Sequence, residues 1–171
     1  MQRRPAFAAL SYAGLLALLA STAMAGSPEP KITPVAAADL PAQVVSVVKA
    51  AAPGLTIRAA ELKAREARRY FDVEGVLADG SEIEFDLLET AGVWAIVETQ
   101  RDIAWTSAPA AVQSAARAAH ATVAPVRVIE SKQNDGMIIY ELFAAGQPRT
   151  PAMEVSWKDG QARVLAEVWP H

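Results

Sequence analysis

The chain is 171 residues long, with 16 Lys plus Arg against 19 Asp plus Glu, a formal net charge of −3 and a pI near 5.4. The acidic balance excludes a nucleic-acid binder that works through a basic patch. The absence of cysteine excludes disulfides, thiolate nucleophiles, Cys-ligated zinc and a lipid-anchored lipoprotein.

Arg3 and Arg4 give a positive start, Ala6 to Ala20 is almost wholly apolar, and Ala23-Met24-Ala25 places small residues at the two positions a signal peptidase reads. This three-part layout predicts a secretory signal peptide over residues 1–25. The apolar stretch is shorter than the roughly 20 residues a membrane-spanning helix needs. The mature chain is therefore expected to begin at Gly26, in a bacterial periplasm or exterior, with no membrane attachment after cleavage. Residues 26–38 hold Ser27, Pro28, Pro30 and Pro34 without periodicity and read as a flexible leader.

Asp39-Leu40-Pro41 opens a predicted helix, with Asp39 as N-cap and Pro41 in the tolerated first turn. Leu40, Val44, Val47, Val48 and Ala51 form its apolar stripe, and Pro53-Gly54 stops it. Sixty-eight positions on, Ser107, Pro109 and Val112 stand where Asp39, Pro41 and Val44 stood, and a second helix runs to about His120. Each helix precedes four strand-like segments. The first set is Thr56 to Glu66, Arg69 to Leu77, Glu82 to Leu88 and Gly92 to Glu98. The second is Ala124 to Lys132, Gly136 to Ala145, Ala152 to Lys158 and Gln161 to Trp169. Ile83, Phe85 and Leu87 alternate with Glu82, Glu84 and Asp86, and Met153, Val155 and Trp157 alternate with Glu154, Ser156 and Lys158. Period-two alternation of this kind marks antiparallel strands with one wet face. Asp79-Gly80, Asp135-Gly136 and Asp159-Gly160 supply hairpin turns. The expected fold is α+β: two tandem repeats, residues 39–106 and 107–171, each a helix packed on a four-stranded antiparallel sheet.

The inventory excludes the familiar enzyme classes. His120 and His171 are the only histidines, and there is no Gly-x-Ser-x-Gly elbow, His-Glu-x-x-His pair or Gly-rich phosphate loop. His120 is expected to serve the last carbonyls of the second helix. The carboxylates Asp72 with Glu74, and Glu82, Glu84 with Asp86, are spaced by two and fall on polar strand faces. Buried in pairs, such groups can do acid–base work, and their oxygens suit calcium, but no Asp-x-Asp-x-Asp-Gly loop frames them. The expectation is a solvated face, with no catalytic residue, no metal and no cofactor.

The outer face of the first half is expected to carry Glu61, Lys63, Arg65, Asp72, Glu74, Glu82, Glu84, Asp86, Trp94, Ile96 and Glu98, a set in which acids far outnumber bases. Trp94 is placed outward because Val93, Ala95 and Val97 take the core phase. An exposed aromatic within a single-sign patch suits a protein partner of opposite charge. Two readings stay open here: a docking face, or carboxylates that only provide solubility.

Asp79-Gly80-Ser81-Glu82-Ile83-Glu84-Phe85-Asp86, then Gly92-Val93-Trp94, preceded by Pro41 and Tyr70, resembles the PepSY-like repeat of small secreted bacterial proteins. The second half departs from it, with Ser156 where Asp86 stands and no Trp after Gly160, and Leu87 to Ala91 lengthens the last turn of the first. The family is similar in fold to the tandem-repeat β-lactamase inhibitor protein. The resemblance implies protein binding or inhibition of a peptidase or hydrolase rather than catalysis. The expected binding residues are Tyr70, Asp72, Glu74, Glu82, Glu84, Asp86 and Trp94, and the expected partner is a basic protein. The alternative is a structural or envelope-associated protein whose repeats only make an oligomer.

Overall fold

The computed structural model describes residues 31–65, 67–147 and 149–166. The predicted signal peptide, Glu66, Trp169 and His171 lie outside the described residues.

Among the described residues, nine strands follow one another in sequence order and in space: β1 (Lys31–Pro34), β2 (Thr56–Arg65), β3 (Arg68–Val76), β4 (Glu82–Thr90), β5 (Val93–Ile103), β6 (Arg127–Gln133), β7 (Ile138–Phe143), β8 (Met153–Lys158) and β9 (Gln161–Val164). All neighbours pair antiparallel. Helix α1 (Ala42–Ala51) lies between β1 and β2, and α2 (Ala110–Ala119) between β5 and β6.

The expectation of two repeats, each with its own four-stranded sheet, is overturned. There is one nine-stranded sheet, and β5 is the reason. Its first part pairs with β4, and its last part, Glu98 to Ile103, pairs with β6. The expected strand ends at Glu98, and Thr99-Gln100-Arg101-Asp102 beyond it shows no apolar alternation. Its backbone pairs with β6 over Glu98 to Ile103, and two cross-strand ion pairs add to that ladder. Arg101 meets Glu130 at 2.8 Å, and Arg127 meets Asp102 at 2.7 Å. Such cross-strand pairs stabilise a ladder without apolar side chains.

Other boundaries differ for local reasons. Lys31–Pro34, expected in a flexible leader, forms the exposed edge strand β1 against β2. Neither helix has its predicted side-chain cap. Asp39 and Ser107 sit in single 3-10 turns (Ala37–Asp39 and Trp105–Ser107), and Pro41 and Pro109 precede the first helical residues. Proline suits this place because its missing N–H would have found no helical carbonyl and its fixed φ fits the start of a helix. Leu87 to Ala91 is not a lengthened turn: β4 runs to Thr90, and Ala91-Gly92 makes a two-residue turn with φ of 51° and 80°.

Both helices cover the same face. Phe85 lies opposite Thr99, and Ile103, in phase with Thr99, lies opposite Val128. Under α1, Val44 and Val48 are buried with Phe71, Val73, Phe85, Leu87 and Trp94. Val47 and Ile83 pack at the margin of this cluster. Under α2, Val112 and Ala116 are buried with Val128, Tyr140, Leu142 and Val155, and Trp105 and Trp157 pack against them. A polar strip on this face separates the two clusters. Glu130 there accepts from Arg101 and from the Tyr140 hydroxyl, with Lys132 at 3.2 Å.

Gly75 is closely packed by its neighbours. A Cβ there would lie 2.6 Å from Leu55 Cδ1 and 2.9 Å from the Thr56 carbonyl oxygen. The backbone contact cannot swing aside. Gly75→Ala is expected to destabilise the fold by about 1–3 kcal/mol, as overpacking does. Urea unfolding checks this, and an unchanged midpoint would refute it.

Candidate functional site

The face without helices carries the candidate site. Register, not sequence neighbourhood, assembles it. Glu61 on β2 lies opposite Asp72 on β3, Asp72 opposite Asp86 on β4, and Asp86 opposite Glu98 on β5. The next row aligns Glu74, Glu84, Gln100 and Ser131. The row on the other side aligns Lys63, Tyr70 and Leu88. Strands sit about 4.8 Å apart, so carboxylates stand directly across from carboxylates, an arrangement that disfavours simultaneous ionisation.

Each acid is treated differently by its surroundings. Asp72, 8% exposed, is ion-paired to Lys63. Glu98, 5% exposed, accepts from the Ser131 hydroxyl and, at 3.0 Å, from the Gln100 amide. Gln133 in turn donates to Ser131 Oγ at 2.8 Å. Asp86 has no such support: its Oδ1 is sealed from solvent and has no hydrogen-bond partner.

The proton affinities follow. Burial pushes Glu84 up to about 8, and repulsion from Asp72 and Glu74 adds to it. Burial holds Asp86 well above the usual carboxylate range, with Asp72, Glu84 and Glu98 adding to the rise. Glu74 is raised by burial and then by Glu61, Asp72 and Glu82. Burial works against the charge of Lys63, but attraction from Asp72, with Asp86 and Glu84, outweighs it and raises its pKa. The cluster is therefore proton-rich for its composition at neutral pH, with Lys63 as its one internal cation among the described residues.

Of the residues expected from sequence, the structure brings Asp72, Glu74, Glu84 and Asp86 together. Glu82 is exposed at the start of β4 on the same face. Tyr70 is half-buried at the border of the cluster, opposite Lys63 and Leu88. Trp94 is corrected. It is 6% exposed, lies in the core beneath α1, and packs tilted against Phe71 with ring centroids 4.9 Å apart. The Arg69 guanidinium covers its ring at 5.5 Å and pairs with Glu89. A β-bulge is the cause. Asp86 pairs with Glu98 but Leu87 pairs with Ile96, which leaves Val97 as an extra residue. The extra residue reverses the phase. Trp94 and Ile96 therefore share the face of Leu87, while Glu98 shares the face of Asp86.

Sequence reasoning missed Gln100, Ser131 and Gln133, which hold Glu98. They come from the unpredicted end of β5 and from β6, and only the β5–β6 pairing reveals them. His120 is exposed at the end of α2, where its own backbone N–H donates to the Ala116 carbonyl and its ring Nδ1 lies 3.3 Å from Thr122 Oγ1. Both residues border a cavity of about 280 Å³ whose other lining side chains, among them Val123, Leu142 and Met153, are apolar. Among the described residues, no carboxylate lines this cavity.

Comparison of the chain with models of protein families, with curated proteins and with solved structures finds no match. The similarity to the PepSY-like repeat therefore rests on the residues quoted for it above.

Proposed function

We propose that this chain is a non-enzymatic protein-binding module whose helix-free sheet face docks a basic protein partner. The observation that carries the reading is the cross-strand row Glu61, Asp72, Asp86 and Glu98, backed by Glu74 and Glu84, with Lys63 ion-paired to Asp72 beside it. Rigid strands hold the ionised members of this set in place, so little side-chain freedom is lost when a partner engages them. Tyr70 and Leu88 at the border supply the aromatic and apolar contact that Trp94, now in the core, does not. The similarity to the PepSY-like repeat favours restraint of a peptidase or hydrolase as the outcome of docking. The signal-peptide pattern of residues 1–25 favours the periplasm or exterior as the place.

The full chain, immobilised, should capture a basic protein from a periplasmic extract. Association of that protein should slow as salt rises, because screening shortens the reach of the acidic face. Glu74→Lys with Glu82→Lys, two face positions flanking the central carboxylates, should slow association about tenfold while leaving the melting temperature near that of the parent. A stable homo-oligomer with no captured protein would favour the structural alternative. Capture that neither salt nor the double variant alters would remove this face from consideration.

A further inference from the structure

We propose that Asp72, Glu84 and Asp86 together form a binding site for a divalent cation of the calcium type. Each offers one carboxylate oxygen, and these atoms all lie within 4.8 Å of one another. Calcium takes oxygen ligands at about 2.3–2.6 Å. Two oxygens on opposite sides of one such ion stand about 4.6–5.2 Å apart by that measure. The three groups can therefore reach a single ion with small side-chain shifts. A magnesium ion, at about 2.0–2.1 Å, would demand a tighter closure.

The second observation is Asp86 Oδ1. It is shut off from water and accepts no hydrogen bond, although its carboxyl stands between Asp72 and Glu98 across the strands. A buried oxygen without a donor costs free energy that a metal ion would offset. Two facts set the kind of ion. The donors are all carboxylate oxygens, with neither nitrogen nor sulfur among them, which selects a hard cation over zinc or copper. The three come from the adjacent strands β3 and β4, so backbone hydrogen bonds fix their spacing.

Lys63 is the built-in competitor. Its ammonium pairs with Asp72, and a cation entering the cluster takes over part of that role. The ion is held by side chains of this chain alone, so its uptake is measured without any partner protein.

Isothermal titration of the chelator-treated full chain with calcium chloride, and separately with magnesium chloride, tests it. The expected result is saturable uptake of one calcium ion per chain, at a dissociation constant of about 1 mM or below, as in extracellular calcium modules. Magnesium should bind more weakly. Asp86→Asn and Glu84→Gln should each weaken calcium at least tenfold, and both variants should fold, since each removes a repelling charge without changing shape. Lys63→Met should strengthen calcium binding. Glu82→Gln, at the exposed end of the same strand, should leave it unchanged. Absence of saturable uptake of either ion to about 10 mM, well beyond the weakest extracellular sites, would overturn the proposal. Uptake that persists in the Asp86→Asn, Glu84→Gln double variant would overturn it as well, because it would report only diffuse attraction to the acidic face.

Discussion

Phe85→Ala and Trp94→Ala should each lower the unfolding free energy by about 3–5 kcal/mol, the usual cost of deleting a buried aromatic. Phe85 is 2% exposed beneath Val44 and Val48 of α1, and Trp94 is 6% exposed against Phe71. For a chain of this size the melting midpoint should fall by about 10–20 °C in each case. Glu82→Ala, at an exposed position on the same strand as Phe85, should move it by no more than about 2 °C, since surface changes usually stay within about 0.5 kcal/mol. Differential scanning calorimetry of the three variants decides the strand phase. A near-silent Trp94→Ala would put the indole on the acidic face and remove the bulge at Val97 from the account. Equal losses for Phe85→Ala and Glu82→Ala would mean that β4 is turned over.

The second large effect is pH-dependent and concerns Glu84. Its neighbours are Asp72 and Glu74 on β3, Glu98 on β5 and Lys63 on β2. Its pKa rises from an ordinary 4.5 to about 8 in the folded chain, first by burial and then by repulsion from those acids. The folded state thus holds this proton more tightly than the unfolded state does. The associated stability is complete below pH 4.5 and is lost as pH rises through 8. At about 1.4 kcal/mol per pKa unit, the rise sets a ceiling of about 5 kcal/mol. Lys63 and relaxation of the strands offset part of it. Glu84→Gln should therefore leave stability at pH 4 unchanged and raise it at pH 9 by about 2–3 kcal/mol. The measurement is urea unfolding across that range, in a chelator so that no cation contributes. A parent and a variant whose stabilities run parallel with pH would show that Glu84 ionises as an ordinary surface carboxylate.

Much of the secondary structure was legible because each element carries a local signal. The alternation of Ile83, Phe85 and Leu87 with Glu82, Glu84 and Asp86 fixed the face of β4, and the structure buries Phe85 and Leu87 with Val44 and Val48. The Asp-Gly pairs placed three hairpins, each with glycine at positive φ. Four members of the acidic cluster were named from spacing alone, because a separation of two on a strand puts side chains on one face.

What escaped the sequence reading lacks a local signal. The bulge at Val97 leaves no mark in composition: Trp94, Ile96 and Glu98 keep a spacing of two, yet one inserted residue in the pairing sends the tryptophan to the core and the glutamate to the outer face. The polar end of β5 reads as a linker, and it becomes a strand through its backbone pairing with β6, to which the Arg101–Glu130 and Arg127–Asp102 ion pairs add.

The sequence by itself determined the order of elements from α1 onward, the apolar faces of the helices and of β4, and the acidity of the first half, since all of these depend on the period and identity of neighbouring residues. Tertiary structure alone decided that nine strands form one sheet, that both helices share a face, and that Asp72, Glu84 and Asp86 converge with one oxygen left without a partner. These depend on which strand pairs with which and in what register. That choice is made by the summed packing and hydrogen bonding of residues far apart in the chain, and a one-residue shift in it turns every side chain beyond to the opposite face.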